Sequence, residues 1–393
     1  MGIGPLTKPR LFLFRLVMLA VVVGTTEVAS YVTASWVTRK DVVVFDGNIE
    51  RKINATLATS PAAFSLYKKT YDADLGWVNV KGANFYGNPG KYSYDDGGAR
   101  KTPKPFPTTL ISSYGDSFTH GDGVEATDTW TYLLGLRFRT NTLNFGVGGY
   151  GTDQAVLRLE KNLAAGVRTR IVILGIETEN INRTMGSFRA FYTNDRCIPC
   201  ATNGPKPFFK RNAGGWDLIE IGARPSLPNL RRDIENSRKQ DYWCREITFP
   251  YTVGLIRYLT IRRPLFTVGV GRWDVREAQD RMLYLVKRFA GLADAHGFMP
   301  VVLFIPDGGD FASLERGTVP AYKQVLPRIQ EMRDLRRLLV VDVLEDGVLR
   351  PRYRKYGDSG GFGGHPTPEG HRIIAEAIEA RMEPLLDDST RGH

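Results

Sequence analysis

Short apolar runs alternate along this chain with longer stretches in which apolar and polar residues mix at helical spacing. The runs at 109–114, 141–145, 169–175, 299–305 and 337–343 read as strands buried on both faces. The mixed stretches at 127–139, 152–165, 272–297, 319–335 and 368–385 read as helices. The last of these has a clear start, with Thr367 as cap and Pro368 in the first turn. Five strand–helix units in this order predict an α/β domain built on a doubly wound parallel sheet.

The pattern departs from this rhythm in three places. Residues 11–24, LFLFRLVMLAVVVG, are the most apolar stretch, with Lys8, Arg10 and Arg15 preceding or interrupting them. A membrane-spanning helix needs about 20 mainly apolar residues, and Leu11 to Val32 supplies them if Arg15 and Glu27 sit near the ends. A cleaved signal peptide also fits, with Val32-Thr33-Ala34 as the small residues of a cleavage site. A buried N-terminal helix is a third reading. Residues 1–34 are therefore assigned as signal or anchor, and the basic residues ahead of the segment keep its N-terminus inside. The domain is then expected at the cell membrane on a single span, facing out of the cytoplasm, or periplasmic or secreted after cleavage.

Residues 35–105 form an extension rich in glycine, proline, asparagine and aspartate, which predicts short strands and turns packed on the main domain. The main domain covers 106–386, and 387–393 is a tail. Inside it, 184–269 breaks the alternation and is too long for a simple loop. An insertion leaving the third strand near its carboxyl end is expected to overhang the site and select substrate.

The candidate chemistry sits at two distant points. SSYGDSFTHGDGV, residues 112–124, places Ser117 just beyond a predicted strand. GHPTPEGHRIIAEAI, residues 364–378, places His365 just before a helix. A serine hydroxyl is a weak nucleophile until a base takes its proton, and histidine is the usual base because its pKa lies near neutrality. Ligands of open α/β sheets bind beyond the carboxyl ends of the strands, where both residues are predicted to stand. Gly115 permits the tight turn. In LNFGVGGYGTDQ, residues 143–154, Asn144 ends a strand and could tie loops together. Gly146, Gly148, Gly149 and Gly151 keep side chains clear of backbone N–H groups, and such donors are worth about 2.7–4 kcal/mol each to a developing oxyanion. No phosphate-loop or dinucleotide fingerprint occurs in this stretch.

On these residues the chain resembles the SGNH or GDSL-like esterases and acyltransferases, over roughly 105–385. The resemblance implies a three-layer α/β/α, flavodoxin-like sandwich around a central parallel sheet. It implies Ser117 as nucleophile, His365 as base and the Gly149 N–H as oxyanion donor beside that of Ser117. VILGIETENINR, residues 172–183, stands where the family's third block belongs. That block usually reads glycine, any residue, asparagine, aspartate; here the aligned stretch is Glu177, Thr178, Glu179, Asn180. The oxyanion asparagine would be Asn180, one place late, or Asn182. The family's orienting aspartate, three residues before the histidine, is replaced by Phe362. Asp358 is the nearest upstream carboxylate, so a Ser–His–Asp triad and a Ser–His dyad held by a backbone carbonyl both remain open.

The other candidates are weaker. His120, three residues after Ser117, shares its loop and would have to fold back to act as base. His371 is expected to face outward or cap its helix, and His296 to sit on terminal carbonyls. Cys197-Ile-Pro-Cys200 lacks a thioredoxin context, and a third cysteine, Cys244, leaves no four-cysteine zinc site. In an exported chain a disulfide from Cys197 or Cys200 to Cys244 is expected. No HExxH or carboxylate cluster predicts a metal, and no cofactor is expected. The net charge of +11 is spread over short clusters such as Arg231–Arg232 and Arg262–Arg263. No basic helix or aromatic-interleaved stripe argues for nucleic acid.

The sequence therefore predicts a serine-dependent hydrolase of acyl esters, an esterase or deacetylase of a glycan, lipid or small ester, acting through an acyl-enzyme. An O-acyltransferase of exported polysaccharide and a non-catalytic binding protein on the same fold are the alternatives.

Overall fold

The computed structural model describes residues 8–37, 61–83, 92–188, 204–221, 226–238, 240–242, 247, 249–262, 273–336, 338–345, 356–357 and 364–390. Its centre is a five-stranded sheet of β3 (Thr109–Gly115), β4 (Asn141–Gly146), β5 (Ile171–Glu177), β8 (Met299–Ile305) and β9 (Leu339–Asp342). The order across the sheet is β4-β3-β5-β8-β9, with every neighbouring pair parallel. This is the flavodoxin-like succession 2-1-3-4-5.

Two helical layers cover the sheet, whose strands are buried on both faces. On β5, Val172, Leu174 and Ile176 face a core built with α5 (Thr152–Ala164), α9 (Arg276–His296) and α11 (Leu326–Arg336). Ile171 and Ile173 face a second core built with α4 (Trp130–Arg137), α10 (Gly308–Glu315) and α12 (Pro368–Thr390). The fold is the expected three-layer α/β/α sandwich. All five strands stand where the apolar runs put them, although β5 extends to Glu177.

The N-terminal extension does more than turn. It contains a helix, α2 (Pro61–Thr70), that the composition did not suggest, followed by the short hairpin β1 (Tyr71–Asp72) and β2 (Gly76–Trp77). The described part of the insertion holds the antiparallel hairpin β6 (Phe208–Asn212) and β7 (Gly215–Ile219), then α7 (Leu227–Arg238) and α8 (Tyr251–Arg262). The hairpin rests on α5 and α9: Lys206 pairs with buried Asp153 at 2.5 Å, and Phe209 packs edge-on against Tyr284. α8 packs instead on α1 (Lys8–Val37).

α1 is long and apolar enough to cross a membrane, with mean hydropathy 2.0 over its best window and none of that window buried. This is compatible with either a signal or an anchor.

Candidate active site

β3 ends at Gly115, and the chain turns at once into α3 (Ser117–His120). The turn is tight because nothing beyond hydrogen fits at its glycines. A Cβ on Gly115 would lie 2.2 Å from the Thr119 hydroxyl and 2.8 Å from the Gly175 carbonyl. A Cβ on Gly146, at the end of β4, would lie 2.2 Å from the His120 backbone nitrogen. Asp116 caps α3, accepting from the Phe118 N–H at 3.0 Å. Ser117 is 4% exposed.

The loop after α3 is fastened from three sides. Arg100, from the N-terminal extension, donates to the carbonyls of His120, Gly121 and Val124, each at 2.7 Å. Asn144 donates to the Thr119 carbonyl at 2.8 Å and accepts from the Gly146 N–H at 2.9 Å, so it ties the two loops as expected. Tyr94, also from the extension, reaches His120 Nε2 at 2.9 Å.

His120 is not a free base. Its Nε2 is held by Tyr94, and its Nδ1 makes a very short bond to Asp122 Oδ1. Burial, followed by the charge of Arg100, pushes its imidazole well below the usual range. Burial pushes the Asp122 carboxyl well above its own.

His365 comes to this turn from the far end of the domain. Its ring packs on Phe118, the residue after Ser117, at 5.3 Å between centroids. Its Nε2 lies 3.7 Å from Asp122 Oδ2, an ion-pair distance. Its side chain is 34% exposed, so it remains open to solvent where His120 is not. Asp358 lies outside the described residues, as do Cys197, Cys200 and Cys244. Asp122, in the serine's own motif, lies at ion-pair distance from His365, and Asp116 also feels the charge of that imidazole; the sequence contained Asp122, but no spacing rule links it to a residue on the approach to α12.

His371 does not face outward. It is fully buried, its Nδ1 accepts from the Trp130 N–H at 3.2 Å, and it thereby caps α4 rather than its own helix. Burial pushes its pKa down to about 3. His296 ends α9, where the cap is made by Gly297, whose N–H bonds the Ala293 carbonyl at 2.8 Å.

The third block lies beside the serine turn. β3 and β5 are adjacent, and between them the chain reverses its direction of travel across the sheet. Asn180, 1% exposed, opens α6 (Asn180–Thr184) and hydrogen-bonds the Asp116 side chain. Its Oδ1 has no hydrogen-bond partner. Asn182 instead points its amide at Glu179, 3.5 Å away. Glu177, at the end of β5, is a buried carboxyl pushed well above its usual range by burial and by Glu179. Arg183 offsets this acidity: it lies 3.3 Å from Asp116, 2.9 Å from Glu179 and 3.9 Å from Glu177, and donates to the Tyr150 carbonyl. Gly149 is buried in the loop after β4 with φ of 77°, a left-handed conformation that favours glycine. Among the described residues no group of three or more His, Cys, Asp or Glu side chains could hold a metal.

The fold and site together define an α/β protein with a buried serine on a glycine-tight turn at the reversal point of its sheet. Among solved structures, the chain is similar to several proteins at low identity. A lipolytic G-D-S-L family protein from Veillonella parvula is 13% identical with a TM-score of 0.35, covering 70% of this chain and 97% of its own. A GDSL-like lipase from Bacteroides thetaiotaomicron is 14% identical, TM-score 0.32, covering 72% and 93%. An acetylxylan esterase from Geobacillus stearothermophilus is 13% identical, TM-score 0.35, covering 70% and 94%. No protein-family model and no curated protein matches the chain.

Proposed function

We propose that this protein hydrolyses acyl esters through a Ser117 acyl-enzyme. The observation that carries the reading is the docking of His365 on the turn that presents Ser117, with Asp122 facing its ring. His365 takes the Ser117 proton as the oxygen attacks the ester carbonyl. The oxyanion forms against the backbone N–H groups of Ser117 and Gly149, with the Asn180 amide beside them. His365 then returns the proton to the leaving alcohol, and a water, deprotonated by the same imidazole, releases the acid. Asp122, 3.7 Å from His365 Nε2, favours the tautomer that carries its proton on that nitrogen, which leaves Nδ1 for chemistry. The substrate we favour is an acylated glycan or small ester met outside the cytoplasm, because α1 with its leading basic residues suits export or anchoring.

The test is labelling of full-length protein with a fluorophosphonate probe, with the modified peptide identified. A Ser117 adduct, lost in Ser117→Ala and in His365→Ala, is the expected result. A folded protein that neither reacts with the probe nor cleaves a short-chain nitrophenyl ester would overturn the reading.

A further inference from the structure

α1 carries one acidic residue, Glu27, and the fold gives it a specific partner. Its carboxylate accepts from the backbone N–H groups of Tyr251 at 2.5 Å and Thr252 at 3.3 Å, the first turn of α8. Ser30 and Thr252 share a hydroxyl hydrogen bond of 2.9 Å, and the rings of Tyr31 and Tyr251 meet edge to face at 5.1 Å. Ala34 and Ile247 close a small apolar cluster with Tyr251 and Leu255, separate from both sheet cores. A carboxylate at the positive end of a helix is a favourable pairing. Glu27 is therefore a docking residue, and α8 is fixed to α1.

The depth of that contact follows from helix geometry. At about 1.5 Å per residue, a hydrocarbon core of about 30 Å is crossed by about 20 residues. Counted from Lys8 and Arg10, which prefer the polar boundary, the opposite boundary falls near Glu27 to Ser30. α8 thus meets α1 at the level where the span leaves the bilayer.

α8 is also where the domain exposes its apolar side chains. Among the described residues outside α1, the large exposed hydrophobics are Leu136, Phe249, Val253, Ile256, Leu259, Leu314 and Val319. Four of these seven lie within 249–259. Val253, Ile256 and Leu259 recur every third residue and so form one stripe, which adjoins the side of α8 that touches α1. An apolar stripe continuous with a membrane span and held at headgroup depth fits a lipid surface.

We propose that α8 lies in the bilayer interface beside α1, with Val253, Ile256 and Leu259 in the headgroup–acyl boundary. The proposal rests on α1 being a retained span. The test uses the full-length chain in vesicles of phosphatidylcholine and phosphatidylglycerol. With Cys197, Cys200 and Cys244 replaced by serine, a single cysteine at Val253 or Leu259 carries an environment-sensitive nitrobenzoxadiazole label, with Leu314→Cys as control. Blue-shifted emission quenched by bromine-bearing acyl chains is expected at 253 and 259, and water-like emission at 314. Equal, water-like emission at all three sites overturns the proposal. So does a blue shift that bromolipid leaves unquenched while differently labelled chains transfer energy, because a second copy then covers the stripe. If the serine background fails to fold, the natural chain is photo-crosslinked with a phosphatidylcholine carrying a diazirine in its acyl chain. Adducts on both α1 and 249–262 support the proposal, and adducts on α1 alone overturn it. No adduct on α1 would sink the span reading first, and this proposal with it.

Discussion

Asp122 is the residue on which the proposed chemistry can be judged most directly. It bonds His120 through one oxygen and faces His365 with the other. A carboxyl engaged with a buried imidazole stabilises a second imidazolium less than a bare carboxylate would, so its main service to His365 is orientation. Asp122→Asn should lower kcat by about ten-fold or more and leave KM nearly unchanged, while His365→Ala removes several orders of magnitude. The double variant should be no slower than His365→Ala alone, because residues acting as a unit are not additive. Steady-state rates on a nitrophenyl ester decide this. An Asp122→Asn enzyme of full activity would hand the orienting role to Asp358 or to a backbone carbonyl. Ser117 and His365 were legible because a contiguous motif surrounds each. Asp122 was not, because its partner is set by a loop closing from the other end of the domain. His371 misled for a different reason: a histidine near a helix start suggests a cap or an exposed site. Yet Ile374 and Ile378, three and seven residues on, mark the buried face on which it lies.

Among the elements, the sheet strands were readable because parallel strands buried on both sides leave unbroken apolar runs. Of the helices that escaped notice, α3, α6 and α10 are short and locally ambiguous. α10 begins Gly308-Gly309, which reads as loop, and forms because Asp307 and Asp310 close a reciprocal capping box at its start. The serine turn is an element-scale device too, since α3 lies so close to β4 that backbone meets backbone. Gly146→Ala places its methyl carbon against the His120 nitrogen, which no side-chain rotation relieves. We expect a loss of about 1–3 kcal/mol or more, read as a lower denaturant midpoint at unchanged slope. Probe labelling of Ser117 should fall even under conditions where the variant is fully folded, because the strain is delivered to α3 itself. A variant with unchanged stability and labelling would show that β4 and α3 are not in contact.

Taken as a whole, the molecule buries an unusual set of ionisable groups, and their signs can be added. A histidine kept neutral by burial costs stability on acidification, since the unfolded chain takes up a proton near its ordinary pKa of about 6.5 and the native chain refuses it. His371, pushed down to about 3, acts this way. Carboxyls pushed up by burial act oppositely: their contribution is fully present below the unfolded pKa near 4 and is lost as pH rises through the folded value. Asp310 at about 6 belongs here, with Glu177 and Asp307 well above the ordinary range and Asp116 raised. His120, pushed well below its ordinary range, and Asp122, pushed well above its own, act in opposite senses. Glu177 and Asp307, held well above the ordinary carboxyl range, and Asp310 at about 6 outweigh the one histidine, so the native chain holds more protons than the unfolded chain on the acid side of neutrality. Each net proton is worth about 1.4 kcal/mol per pH unit. Tm should therefore rise as pH is lowered from about 7.5 to about 5.5, the reverse of what a histidine-dominated interior would give. Asp310→Asn keeps an acceptor for the Thr178 hydroxyl and removes one titrating group, so it should flatten the curve around pH 6. A Tm that falls steadily on acidification through that window would mean that the buried carboxyls are ionised in the native state. Arg183, which touches Asp116 and Glu179 and lies within ion-pair distance of Glu177, would then be carrying far more of the site's charge than its single guanidinium is assigned in this balance.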